Sequence, residues 1–198
     1  VTVQDRIHWD ARHRANRNRA YPDPDPLLFM YTPPAAAYQP GGRLPGERPR
    51  ALDLACGVGQ NGLWLAAQGY SVDMIDISRE ALRIARQTAA ARGLRTLNFL
   101  QSDLDETALQ SEAYDVVCVF RFLKRDLFER IRASIKPGGR VIYATYTTGW
   151  KAIRPEACDR YLLHPGELVG YFSDWRILHQ RETGHEAEVV ALKPEAND

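Results

Sequence analysis

Thiol and metal chemistry have little to work with in this chain of 198 residues, which carries three cysteines, two methionines and five histidines. Cys56, Cys118 and Cys158 form no C-x-x-C pair, the spacing of zinc ribbons and redox motifs. The histidines show neither H-x-x-x-H nor H-E-x-x-H spacing, so no metal site is expected. No apolar run approaches the ~20 residues of a membrane span. The opening residues, Val1-Thr-Val-Gln-Asp-Arg6, lack the features of a signal peptide, and the expected compartment is the cytoplasm. Charge of one sign is also missing. The net charge is +1, which steers the chain toward neither nucleic acid nor an anionic membrane surface. Internal repeats and low-complexity tails are absent. What remains, 44% hydrophobic and 26% charged residues, is the composition of one globular domain with its own core.

The stretch Ala51-Leu-Asp-Leu-Ala-Cys-Gly-Val-Gly-Gln-Asn-Gly62 organises the rest. It begins as a buried strand, breaks into a loop with Gly57, Gly59 and Gly62, and continues as a helix through Leu63-Trp-Leu-Ala-Ala67. Glycines allow close backbone approach, and the free N–H groups of a first helical turn point at whatever binds there. Two ligands suit the pattern. Gly57-x-Gly59-x-x-Gly62, with Asp76 about 20 residues on, fits a dinucleotide fingerprint. Asp53, at the end of the first strand, instead suits a ligand with a cationic end. A bare tightening of the strand-to-helix turn explains the glycines but not the acid beside them.

Upstream, residues 1–49 form a segment of different character, read as a lid or linker ahead of a domain at 50–198. Between Arg6 and Arg19 lie five arginines, two histidines and Trp9. That is either a solvated helix face or a cover that draws in an anionic substrate. Tyr21-Pro-Asp-Pro-Asp-Pro26 is a rigid turn. Residues 27–31 start a short apolar helix, and residues 33–49 read as a Pro- and Gly-rich surface loop.

From Arg50 strands and helices alternate, which predicts an α/β fold with a parallel sheet covered on both faces. Strands are expected at 70–75, 96–100, 114–120 and 140–146. Ser78 is placed as the N-cap of a helix over 79–92, with Leu82, Ala85 and Ala89 on its buried stripe and Gly93 ending it. Leu123, Leu127, Phe128, Ile131 and Ile135 give the next helix its apolar face, stopped by Lys136-Pro-Gly-Gly139. The alternation then breaks. A short helix at 165–172 precedes strands at 175–182 and 187–193, joined tightly enough to form an antiparallel hairpin.

These stations resemble class I S-adenosylmethionine methyltransferases over about three quarters of the chain. The pattern hydrophobic-Asp53-x-x-x-Gly57-x-Gly59 is similar to that family's first motif. The resemblance implies a three-layer sandwich whose mostly parallel seven-stranded sheet has the order 3-2-1-4-5-7-6, strand 7 antiparallel. It implies S-adenosylmethionine as cofactor. Asp53, Gly57 and Gly59 would cradle the methionine part, with Ala55, Cys56 and Asn61 beside them. Asp76 would take the ribose hydroxyls, with Ile77 next to it, and Ser102, Asp103 and Leu104 the adenine. Phe120 would lie near the methyl group. Narrower segments, Trp9-Asp10-Ala-Arg12, Pro24-Asp-Pro26, the run from Val119 to Phe128 and Leu162-Leu-His-Pro-Gly-Glu-Leu168, look like the tellurite-resistance-type and thiopurine-type small-molecule methyltransferases. The Pro-Trp step common before the Pro-Asp-Pro region of those relatives is absent.

The methyl of a sulfonium is already activated, so a soft nucleophile needs positioning and exclusion of water more than a base. Arg121 is therefore the candidate to hold an anionic acceptor, its alternative being an ion pair with Asp126. Tyr146 is the second candidate catalytic residue, while Tyr143 is expected in the core. The expected partner is a small molecule such as a thiol or a metalloid oxyanion. Three rivals stand beside it. One is an RNA methyltransferase, which the arginine-rich start favours and the sequence Phe120-Arg-Phe-Leu123 after strand four does not. The second is a nicotinamide oxidoreductase, and the third a domain that binds the cofactor without turnover.

Overall fold

Residues 3–38 and 47–195 are described in a computed structural model. The chain divides into two compact units, Val1–Ala108 and Leu109–Asp198. Seven strands form one sheet in the order β3-β2-β1-β4-β5-β7-β6, parallel except for β7, which pairs antiparallel with β5 and β6. With helices around it, this is the expected α/β fold.

The first unit opens with α1 (Val3–Ala15), a helix with no buried residue. The short α2 (Pro26–Tyr31) starts where the sequence provides a stop and a start together. Asp25 is its N-cap, accepting from the Leu27 N–H, and proline occupies its first turn, where a missing N–H costs nothing. Its Leu27 and Leu28 are buried. A 3₁₀ turn at Ala35–Tyr38 lies within the expected surface loop, and residues 39–46 of that loop lie outside the described residues. Then follow β1 (Arg50–Leu54), α3 (Gln60–Ala67), β2 (Ser71–Asp76), α4 (Arg79–Ala91) and β3 (Leu97–Gln101). Ser78 caps α4 by accepting from the Ala81 N–H, and Leu82, Ala85 and Ala89 are buried, as the stripe predicts. Gly93 ends that helix at φ +68°, a conformation glycine adopts without penalty.

The second unit carries β4 (Tyr114–Phe120), whose apolar run at residues 116–119 is buried on both sides and whose Asp115 pairs with Lys136 at 3.5 Å. The helix expected over Leu123–Ile135 is shorter than its apolar spacing suggests. A 3₁₀ turn at Arg125–Leu127 leads into α5 (Phe128–Ser134). Ile135 already belongs to β5 (Ile135–Tyr146) and pairs with Tyr114. The Lys136-Pro-Gly-Gly139 insert bulges out of that strand before pairing resumes between Val116 and Arg140. Gly138 donates to the Lys193 carbonyl (3.1 Å) and Lys193 to the Gly139 carbonyl (2.8 Å), so the bulge is tied rather than loose. The short α6 (Glu167–Gly170) and the hairpin of β6 (Arg176–Glu182) and β7 (Glu186–Leu192) complete the unit. No helix among the described residues is long and apolar enough to cross a membrane.

Candidate functional site

In the first unit the glycine loop is built around two buried carboxylates. Asp53, on β1 and 1% exposed, accepts the Gly62 N–H at 2.8 Å. Gly62 lies in the first turn of α3, whose N-cap is Gly59 and has no side chain to offer. The Asp53 carboxylate therefore does the capping from the neighbouring strand, placing negative charge at the positive end of the helix. That arrangement requires glycine at 62. A Cβ there would lie 2.9 Å from Met74 Cγ and 3.0 Å from Asp53 Oδ2.

Asp76, at the end of β2 and 8% exposed, staples the loop from the other side. Its Oδ2 accepts the Gly57 N–H at 2.7 Å and its Oδ1 the Ser78 N–H at 2.8 Å. Burial pushes its carboxyl up from the ordinary value, against those two hydrogen bonds and the nearby His13. The loop backbone is held in demanding conformations. Ala55 sits at φ +52°, Gly57 at +55° and Gly59 at +87°. The Cys56 N–H reaches the Ile75 carbonyl (3.1 Å), and Gly59 donates to the Cys56 carbonyl (2.9 Å). A Cβ at Gly57 would meet only His13 Cε1, at 3.9 Å, so this glycine faces open space where Gly59 and Gly62 face packed side chains.

The remaining expected cofactor residues of this unit join the same framework to different degrees. Ser102 donates its N–H to the Asp76 carbonyl (3.1 Å), and Gln101 Nε2 donates to the Ile77 carbonyl (3.3 Å). Asp103 closes a turn by accepting the Asp105 N–H (2.9 Å), and Leu104 is buried beside it. Asn61 is buried, and its side-chain oxygen accepts the Asp25 N–H at 2.9 Å. Its acceptor therefore anchors the N-terminal segment.

Sequence reasoning missed how that segment docks. Asp10 of α1 accepts from Ser78 Oγ (2.6 Å) and from the Glu80 N–H (3.0 Å), adding a second cap to α4. Burial raises its carboxyl, but the bond from Ser78, the Glu80 N–H and nearby arginines outweigh this and hold it below the ordinary carboxylate value. His13, one turn on, faces the glycine loop, its Cε1 3.9 Å from where a Cβ on Gly57 would lie. Burial lowers its pKa, partly offset by Asp76. Trp9 and Arg12 pair with each other, the guanidinium 5.0 Å from the ring centre. Tyr21 donates to the Val58 carbonyl at 2.8 Å. The available signal was the acid three residues before His13 together with the hydroxyl of Ser78, which as an N-cap accepts through its oxygen and keeps its hydrogen free to donate.

In the second unit, Phe120 ends β4 half-buried and Arg121 turns the chain at φ +54°, its N–H on the Ala144 carbonyl (2.8 Å). Asp126 pairs with Lys124 at 3.7 Å and not with Arg121, whose side chain is exposed. Tyr146 ends β5 and stacks on Trp150, ring centres 4.2 Å apart. Tyr143 is buried, as expected, and donates to the Phe122 carbonyl (2.8 Å).

Comparison with known proteins agrees with this geometry. Residues 51–139 match the family described as a methyltransferase domain. The chain is 32% identical over 156 residues to the ubiquinone biosynthesis O-methyltransferase of Vibrio vulnificus, covering 68% of this chain and 66% of that protein. It spans about half the length of other curated relatives of the same name, 46% and 44% in two of them. Two solved structures share the fold at 20% identity. TehB from Haemophilus influenzae has a TM-score of 0.64 over 73% of this chain and 57% of its own. A protein solved in work on the conversion of a disulfide bond into a thioacetal group during echinomycin biosynthesis has a TM-score of 0.69 over 98% and 93%. With the matched domain, the seven-stranded order and the acid-and-glycine loop in agreement, the chain belongs to the class I S-adenosylmethionine-dependent methyltransferases.

Proposed function

We propose that this chain transfers a methyl group from S-adenosylmethionine to a small molecule with a soft nucleophile, a thiol or a metalloid oxyanion. The cofactor supplies an electrophilic methyl on a sulfonium. Asp53 attracts its ammonium end, and Gly57 leaves the backbone open to it, with Gly59, Ala55, Cys56 and Asn61 shaping the loop. Asp76, beside Ile77, accepts from the ribose hydroxyls. Ser102, Asp103 and Leu104 receive the adenine, and Phe120 borders the methyl group. Residues 1–49 act as a lid or linker for the domain at 50–198.

The observation that carries the acceptor class is Arg121. Its backbone is fixed in the left-handed region by the bond to Ala144, and its guanidinium is exposed with no carboxylate paired to it among the described residues. A cation held this way suits an anionic acceptor, and Tyr146 supplies a hydroxyl and an aromatic face. The fold shared with a protein solved in work on converting a disulfide bond into a thioacetal group is consistent with a sulfur acceptor. A hydroxyl acceptor is the second reading, favoured by the name of the Vibrio vulnificus relative.

Release of S-adenosylhomocysteine from a panel of thiophenol, selenite, tellurite, catechol and total RNA tests the proposal. Turnover of the thiol or a metalloid oxyanion is expected. Turnover of catechol alone transfers the assignment to O-methylation, methylation of RNA overturns the small-molecule reading, and binding of cofactor without any turnover leaves a non-catalytic domain.

A further inference from the structure

The Leu162-Leu-His-Pro-Gly-Glu-Leu168 segment, singled out in the sequence, is assigned no part in cofactor binding, yet it is tied into the second unit by a dense set of hydrogen bonds. Arg125, at the start of the 3₁₀ turn after β4, spends its whole guanidinium there. Nε and Nη2 donate to the two carboxylate oxygens of Glu167 at 2.7 and 2.8 Å, a bidentate pair. Nη1 donates to the Arg160 carbonyl and Nη2 also to the Leu162 carbonyl, both at 3.0 Å. Glu167 in turn accepts the His164 N–H (2.8 Å) and the Tyr171 hydroxyl (3.1 Å). Burial pushes the Glu167 carboxyl up, but these donors outweigh it and hold it below the ordinary value. This is far more hydrogen bonding than a surface ion pair needs, and three of its partners are backbone groups of one strap, residues 158–166.

The strap lies on the end of β5. Leu163 donates to the Tyr146 carbonyl (2.9 Å), and Thr148 donates back to the Leu163 carbonyl (2.8 Å). Thr147 and Leu163 form a parallel bridge, and both side chains are buried. The backbone of Tyr146 is thus held by a residue next to one whose carbonyl Arg125 grips. The other acceptor-side turn is held from the same cluster. Tyr171 stacks on Phe128 (3.6 Å between ring centres), Phe128 stacks on Tyr143 (5.3 Å), and Tyr143 donates to the carbonyl of Phe122, the residue after Arg121.

We propose that Arg125 and Glu167 are positioning residues for the methyl acceptor: a clamp that fixes the strap on the end of β5 and so sets the place of Tyr146. The inference rests on Tyr146 serving the acceptor. The clamp acts on the acceptor and leaves cofactor affinity alone, because none of its bonds involves a residue assigned to the cofactor. Lysine cannot replace Arg125, since a point charge reaches Glu167 or a carbonyl but not the fork and two carbonyls together.

The experiment compares Arg125→Ala, Arg125→Lys and Glu167→Gln with the parent protein and with Tyr146→Ala. Hydrogen exchange at the Leu163 and Thr148 amides is one readout, and calorimetric titration with S-adenosylhomocysteine is the second. The third is KM and kcat for thiophenol. The clamp predicts about tenfold or greater loss of protection at those amides with β4 protection retained. It predicts unchanged cofactor affinity and a kcat/KM for thiophenol lowered about 10- to 100-fold, the scale of loss that misplacement by up to about 1 Å can cause. Arg125→Lys should fail to restore either. Unchanged protection in both Arg125→Lys and Glu167→Gln overturns the clamp, as does a parallel loss of cofactor affinity. If Tyr146→Ala leaves thiophenol kinetics intact while exchange rises in the Arg125 variants, the acceptor role of Tyr146 fails and the strap anchor stands as a structural one only.

Discussion

Replacing Asp76 with asparagine tests whether the acid at the end of β2 serves the loop, the ligand or both. Its two oxygens hold the Gly57 and Ser78 N–H groups at 2.7 and 2.8 Å in a nearly solvent-free position. Asparagine keeps one carbonyl oxygen for one of these donors and turns an NH₂ toward the other. A hydrogen bond to a charged acceptor contributes about 1.5–3 kcal/mol, and a buried N–H left without a partner costs about 1–3 kcal/mol. Opposing this, burial already pushes the Asp76 carboxyl up, so removing its charge recovers part of the desolvation cost. The net expectation is a loss of about 1–3 kcal/mol in the ligand-free protein, read as a lower urea midpoint with unchanged slope. Ligand binding adds a separate effect. If Asp76 also accepts from the ribose hydroxyls, calorimetric affinity for S-adenosylmethionine falls by about 10- to 150-fold, the equivalent of about 1.5–3 kcal/mol. Lower stability with unchanged affinity makes Asp76 a loop staple and removes it from the ribose. No change in either quantity refutes the hydrogen-bond reasoning itself.

Gly62→Ala should destabilise the first unit by about 1–3 kcal/mol in urea denaturation, because the new methyl meets Met74 and the Asp53 carboxylate; a neutral outcome would show that β2 and α3 separate freely. Deleting residues 1–20 should leave the core folded while cofactor affinity falls, and equal affinity would reduce α1 to a bystander. The same docking should depend on pH. His13 has a lowered folded pKa, so its contribution is present above about 6.5 and is lost as pH falls toward the folded value. Burial acts on it first, and Asp76, Asp10 and Glu80 oppose that while Arg12 adds to it. Limited proteolysis of the first 20 residues should therefore quicken below pH 6.5, and His13→Gln should abolish that dependence.

Most of the fold was legible because it rests on local patterns. Ser78 before a helical stripe, Gly93 after it, the apolar run at residues 116–119 of β4 and two strands joined by Thr183-Gly-His-Glu186 each specify one element. The errors fall where tertiary pairing overrides such a pattern. The spacing of Leu123, Leu127, Phe128, Ile131 and Ile135 fits one helix face, yet Ile135 gains more by pairing with Tyr114 in the sheet. The Pro-Gly-Gly insert then becomes a bulge inside β5 rather than a turn before it. In the glycine loop, Asp53, Gly57, Gly59 and Asp76 stood out in the sequence because the acids and glycines occur together at those spacings. What they do for the loop was not. That Asp53 caps α3 and Asp76 staples Gly57 depends on where the chain returns in space.

The N-terminal segment marks the limit most clearly. Its helix α1 buries no residue, so no apolar stripe announces a docked face, and its arginines suit solvent as well as they suit a cover. Beyond α1 the segment buries Leu27 and Leu28, but the contacts given by α1 and the turn after it are polar and discrete: Asp10 on Ser78 and Glu80, the Tyr21 hydroxyl on Val58, and the Asp25 N–H on Asn61. A helix attached this way behaves differently from one held by a greasy face. Apolar burial is spread over many atoms and changes little with pH, whereas a few charge-assisted bonds at one helix end are strong together and fail together. Such an attachment can be released without unfolding what lies beneath it. If Asp76 and Gly57 hold the cofactor as proposed, this suits a segment lying beside them, since a cofactor must enter and its product must leave while the core stays intact.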